Sequence, residues 1–218
     1  MVFTNSSLVA YTQISPNRNS PRTQPITKIT IHHMAGIMSV ESFGALVANP
    51  SRQMSANYAI GNDGRIGLYC PEGDRSWCSG NAWNDHRAVT IEVSNDISGE
   101  PWSISSAAYA SLIKLCVDIC KRNGIKKLEF TGNQNGSLTY HYFYQATACP
   151  GTWIKNHTKE ICDKAGVDAY NIVKGIQPIC FENACWAYVV GCAIAIKDGA
   201  KSAAEAAEKI GVGLQAFC

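Results

Sequence analysis

Apolar and polar residues alternate from Ile26 to His32, the period of a half-buried strand. The pattern then shifts to helical spacing. Val40, Phe43, Gly44 and Val47 share one face, Ser39 is placed to cap that helix, and Asn49-Pro50 ends it. Residues 57–69 form two short β-runs around Asn62-Asp63-Gly64, which predicts a hairpin. Residues 88–93 predict a further strand. From Ser105 or Ser106 onward, Tyr109, Leu112, Ile113, Cys116 and Cys120 line one face of a long helix. Residues 128–131 read as a short strand and 153–165 as a closing helix. Residues 12–28, rich in Pro, Asn, Ser, Arg and Gln, read as an extended arm outside the core. Interleaved strands and helices make the class α/β, a central mixed sheet flanked by helices.

Composition changes after Gly166. Tyr170-Asn171-Ile172-Val173 and Trp186-Ala187-Tyr188-Val189-Val190 precede an Ala-rich helical pattern over 200–210. The expected division is a principal domain over 1–165 and a small module over 166–218, a size at which independent stability is marginal.

The chain has 218 residues and a formal charge of +2, with no basic stripe, which argues against nucleic acid as a partner. No apolar run approaches the ~18 residues of a membrane span, so no integral membrane segment is expected. The first residues lack a basic region followed by an apolar core, so no export leader is expected. The ten cysteines show no regular spacing, and Cys116 and Cys120 fall within an apolar helical pattern. Mostly reduced thiols are therefore expected.

The chemistry concentrates in two places. His32 and His33 end the first strand, and His141 precedes Cys149 by eight positions. Two imidazoles and a thiolate suit a borderline-soft cation. Three protein ligands, rather than four, leave the open position that a catalytic zinc needs. On the residues alone, His32 and His33 compete for the same role. Adjacent strand residues face opposite ways, so both cannot easily reach one metal. Glu92, a carboxylate inside an apolar strand, is costly unless paired or used. His86 and His157 read as structural or solvated.

Five motifs, Ile31-His32-His33-Met34-Ala35-Gly36, Ser55-Ala56-Asn57-Tyr58-Ala59-Ile60, Asn62-Asp63-Gly64, Ala88-Val89-Thr90-Ile91-Glu92-Val93 and His141 with Thr147-Ala148-Cys149-Pro150-Gly151, occur in this order. In that order they resemble the type-2 N-acetylmuramoyl-L-alanine amidase family, which includes phage endolysins, peptidoglycan recognition proteins and cell-wall recycling amidases. The resemblance covers roughly residues 20–160. It implies zinc (Zn2+) held by His32, His141 and Cys149, with His33 beside the site. It also implies that Tyr58 places its hydroxyl next to the metal's water, that Thr147 assists the developing oxyanion and that Glu92 acts as general base. His33, Trp77 and Asn81 are expected to contact substrate. Many relatives carry His in the loop where this chain has Cys78, which leaves Cys78 as an inert thiol, a further ligand or a partner for Cys70.

The resemblance implies a peptidoglycan amidase that cuts between N-acetylmuramic acid and L-alanine. A phage or prophage endolysin would accumulate in the host cytoplasm and act at the cell wall, with 166–218 as a wall-binding segment. A cytosolic muropeptide-recycling amidase and a non-catalytic peptidoglycan-binding module are the alternatives. Those recycling enzymes typically use Asp as third ligand, and the non-catalytic relatives usually lose one.

Overall fold

In a computed structural model of the chain, residues 3–166 are described. The small module expected over 166–218 therefore lies outside the described residues, apart from Gly166. Strands β1 (Tyr11–Thr12) and β2 (Arg18–Asn19) are short, and β3 runs over Lys28–His33. Helix α1 (Val40–Ala48) follows, its N-terminus capped by the Ser39 side chain, which accepts from the Ser42 N–H. The hairpin forms as β4 (Tyr58–Ile60) and β5 (Ile66–Leu68). Then come β6 (Arg75–Ser76), α2 (Ala82–Asp85), β7 (Ala88–Val93), α3 (Ser106–Arg122) capped by Ser105, β8 (Leu138–Tyr140), α4 (Gly151–Asn156) and α5 (Thr158–Lys164).

Six strands make one mixed sheet in the order β1-β5-β4-β7-β3-β8, and β2 pairs with β6 in a second, two-stranded sheet. β3 and β7 lie parallel at the centre with every residue of each buried or nearly so, as expected for strands covered on both faces. Register decides what each face carries. Ile31 pairs with Ile91 and with Tyr140, and Tyr58 also pairs with Ile91. Those four side chains point to one face. His32, Glu92 and Ala59, one residue later on each strand, point to the other.

Three expectations are corrected. Residues 128–131 form no strand; the edge strand is β8. The Glu129 carbonyl accepts from the Leu138 N–H, but the Glu129 N–H donates to the Ser137 hydroxyl at 2.8 Å, so a side chain replaces the next ladder bond. The closing helix breaks in two at His157, whose ring stacks on Trp153 with centroids 3.7 Å apart, so this histidine is not simply solvated. The arm is not outside the core. Ser15, Asn17 and Arg22 are buried, and the Arg22 guanidinium donates to the carbonyls of Glu72, Asp74, His86 and Ala88. Polar residues without apolar periodicity form this part of the structure by bonding to backbone, which a hydropathy pattern does not report. His86 is structural as expected, its Nδ1 accepting from the Thr23 N–H. Cys70, Cys78, Cys116, Cys120, Cys149 and Cys162, all the cysteines among the described residues, are free thiols, so Cys70 and Cys78 are not paired.

Candidate active site

The end of the sheet builds the site. His32 is the penultimate residue of β3, and His141 follows β8 immediately. Because Tyr140 lies on the Ile31 face, the next residue turns to the His32 face. The two imidazole rings lie 4.7 Å apart between centroids. A single 3-10 turn, His141–Phe143, reverses the chain and brings Gln145 back under His141, with its Oε1 3.1 Å from His141 Nε2. Sequence reasoning missed Gln145. Its signal is the four-residue spacing from His141 across a turn. Gly80 makes room for that amide: its φ is +64, and a Cβ there would collide with Gln145 Nε2.

Cys149 arrives on the turn before α4. Its Sγ lies 3.6 Å from His32 Nδ1, and its N–H donates to the Thr147 hydroxyl. Gly151, at φ +85, lets this turn sit against Trp102, whose Cβ would lie 2.6 Å from any Cβ at 151. Trp102 in turn meets the His33 ring edge-on at 4.9 Å, and His33 Nδ1 lies 3.2 Å from Asn95 Oδ1. His33 thus faces Asn95 and Trp102, two partners that sequence reasoning missed.

His32, His141 and Cys149 each bring a ligand atom within 4.8 Å of the others. His32 is fully buried and its Nε2 has no hydrogen-bond partner. Two nitrogens and one sulfur at this spacing, with His141 half-buried and His32 and Cys149 buried, fit a zinc-type cation. Burial, then the neighbouring His141 and His33, hold the His32 imidazole well below the usual histidine range. Burial lowers His141 as well, with Gln145 opposing. Both rings are therefore kept neutral, the form in which imidazole binds metal. Burial pushes the Cys149 thiol up, with Glu92 adding to it and the His33 backbone opposing. A cation is what would draw that proton off.

Glu92 lies beside His32 and is pushed up to about 8 by burial. Its Oε1 accepts from the Cys78 thiol at 3.8 Å, while Oε2 has no partner. A cleft of about 350 Å³ opens in front of this group. His141, Cys149, Glu92 and Thr147 line one end, and Met34, Met38, Leu46 and Met54 form an apolar wall with Arg52 among them. His33 also lines the cleft.

Three expected site residues stand elsewhere. The Tyr58 hydroxyl donates to Glu72 Oε1 at 2.7 Å and accepts from the Ser6 N–H, on the sheet face opposite Glu92. It does not stand beside the candidate metal. Tyr58 pairs with Ile91 and so shares the face opposite the one that carries His32 and Glu92. Trp77 is not among the cleft-lining residues, and its indole N–H donates to Asn19. Asn81 caps α2, its side chain accepting from the Asn84 N–H, and is likewise outside the cleft lining. The loop between Trp77 and Asn81 is held from inside by Asp85, which accepts from the Cys78 and Ser79 N–H groups and from the Ser79 hydroxyl.

A three-donor centre at the end of a mixed sheet, open to a cleft, is the layout of a metal-dependent hydrolase. The family model described as N-acetylmuramoyl-L-alanine amidase matches residues 22–152, more than half of the chain, and the chain belongs to that family of enzymes. A second model, described as GGGtGRT protein, matches residues 151–218. Among solved structures, PlyL aligns with TM-score 0.55 and 14% identity over 72% of this chain and 96% of its own. A mutant endolysin from Bacillus subtilis gives 0.54 and 16% over 72% and 97%. The N-acetylmuramoyl-L-alanine amidase LysCS from Clostridium intestinale gives 0.50 and 21% over 75% and 93%. At these identities the structures show the shared fold. No curated protein matches the chain.

Proposed function

We propose that this amidase uses zinc held by His32, His141 and Cys149 to hydrolyse the bond between the lactyl group of N-acetylmuramic acid and L-alanine in peptidoglycan. The observation that carries the reading is the convergence of these three donors from three separate parts of the chain, with His141 and Cys149 lining one cleft and His32 buried behind them. Zinc bound there supplies Lewis acidity to the scissile carbonyl and makes water a better nucleophile at neutral pH.

The chain's own residues supply the rest. Glu92, its carboxyl raised by burial to about 8, in its ionised form takes a proton from the attacking water and returns it to the leaving amine. The Thr147 hydroxyl already accepts from the Cys149 N–H, so its own proton is free to point at a developing oxyanion in the cleft. The methionine-rich wall adapts to apolar parts of the substrate, and Arg52 suits a stem-peptide carboxylate. The endolysin names of the structural neighbours support a phage or prophage origin. On that reading the protein accumulates in the host cytoplasm and acts at the cell wall, with residues 166–218 as its wall-binding segment.

Mass spectrometry of purified Gram-positive peptidoglycan digested by the zinc-loaded protein tests the reading. Stem peptides with new L-alanine N-termini, lost on chelation and restored by zinc, are expected. Wall pulled down without any new amine terminus would leave a binding protein instead.

A further inference from the structure

His32 belongs to two donor groups. The first, with His141 and Cys149, faces the cleft. The second joins it to Cys78 and Glu92, whose ligand atoms and that of His32 all lie within 4.8 Å of one another, with all three residues buried. Two polar atoms there lack partners, His32 Nε2 and Glu92 Oε2. Their side chains belong to residues 0% and 7% exposed. Among the described residues Glu92 makes no ion pair, and its one hydrogen bond comes from the Cys78 thiol. A carboxylate buried in this way is costly unless a cation or proton joins it.

The thiol is not placed by chance rotation of a loose loop. Asp85 holds the Cys78 N–H and both polar hydrogens of Ser79, and Asn81 caps the helix that carries Asp85. One imidazole, one thiol and one carboxylate therefore converge from β3, the loop after β6, and β7. That donor set selects zinc-like cations over magnesium or calcium, which take oxygen ligands.

We propose that His32, Cys78 and Glu92 form a second, buried position for a zinc-like divalent cation behind the cleft-facing one. It rests on the reading of His32, His141 and Cys149 as the first metal centre. His32 serves both through its two ring nitrogens: Nδ1 lies toward Cys149, and the unpartnered Nε2 is left for the second cation. Binding expels the Cys78 thiol proton, the one ring proton of His32, which then bridges as an imidazolate, and the Glu92 proton where present, to solvent. Glu92 so engaged no longer exchanges protons with water in the cleft, so the second position is inhibitory in excess zinc.

Equilibrium dialysis of the full chain against excess zinc tests this through differences between proteins, which cancels any metal held by cysteines beyond residue 166. Cys78→Ala and Glu92→Gln are each expected to bind one equivalent less than wild type; the second variant serves where the first fails to fold. Cobalt provides another reading. The thiolate-to-cobalt absorption of wild type should grow with the additional equivalent and that of Cys78→Ala should not. Equal stoichiometry in wild type and both variants overturns the second position. Equal stoichiometry in wild type and Cys149→Ser would instead sink the first centre, so the two failures are distinguishable.

Discussion

Glu92 stands directly across from His32 in the paired strands β3 and β7, and Tyr58 pairs one residue earlier, with Ile91. That single step of register divides the molecule's polar chemistry between two faces. On one, Glu92, Cys149 and His141 line the cleft with His32 buried behind them. On the other, Tyr58, Glu72 and Arg122 form a buried network that ties the first residues of the chain to α3. Arg122 donates to both Glu72 oxygens and to the Thr4 carbonyl, Asn123 donates to Glu72, and Asn5 accepts from the Glu72 N–H.

Tyr58→Phe separates these roles. Removing the hydroxyl leaves Glu72 one donor short and should cost about 1–3 kcal/mol of stability. Turnover should be preserved, because the hydroxyl is on the wrong face to touch substrate. Denaturant midpoints and kcat measured on the same preparation check both halves; a large fall in kcat with unchanged stability would contradict the placement.

Arg122→Met removes the cation from a carboxylate whose side chain is 1% exposed. Stranding Glu72 should cost about 3–5 kcal/mol. The companion Arg122→Met with Glu72→Leu, which removes both charges, should recover much of the loss. Urea unfolding of the single and double variants is the measurement, and equal destabilisation by both would show that the charge was not the issue.

Gln145→Ala should weaken metal binding while leaving the fold intact. The amide fixes the far nitrogen of the His141 ring, and losing such a partner typically costs about 10–100-fold in affinity. Competition against a chromogenic chelator reads it directly. Unchanged affinity would mean that the turn alone orients the ring.

Glu92 gives the metal-free protein a pH signature. Its carboxyl is raised from 4.5 to about 8 in the fold, so the folded state holds that proton more tightly than the unfolded state. The cost of ionising Glu92 in the fold is absent below about 4.5 and grows as pH rises toward 8, with slope at most about 1.4 kcal/mol per pH unit. Metal-free Glu92→Gln should therefore be more stable than wild type at pH 8, and the gap should shrink as pH falls to 5. Thermal melts of both proteins across that range check it. The opposite trend would place a compensating cation beside the carboxylate.

Much of this architecture is legible in the chain because its apolar periods are clean. β3, α1, the β4–β5 hairpin, β7 and α3 all lie where alternation or helical spacing puts them, and Ser39 and Ser105 cap as their position suggests. The candidate donors were legible through the family resemblance: on the residues alone His32 and His33 compete for one role, and the order of the motifs favours His32. What the pattern hides is whatever depends on partners distant in sequence. Residues 128–131 alternate like a strand, yet Ser137 intercepts the ladder. Residues 153–165 are periodic throughout, yet the helix divides at His157, whose ring stacks on Trp153. Asn81 looks like a loop residue free for substrate and is spent as a cap. Tyr58 is the instructive case: the resemblance implies a hydroxyl beside the metal site, and strand pairing turns it to the other face, where it bonds Glu72.

The most direct test of the account is Cys149→Ser, assayed for bound zinc and for release of L-alanine-terminated stem peptides from peptidoglycan, with circular dichroism confirming the fold. Loss of one zinc equivalent together with loss of product is expected. A folded Cys149→Ser protein that releases these peptides at the wild-type rate would contradict the His32–His141–Cys149 centre.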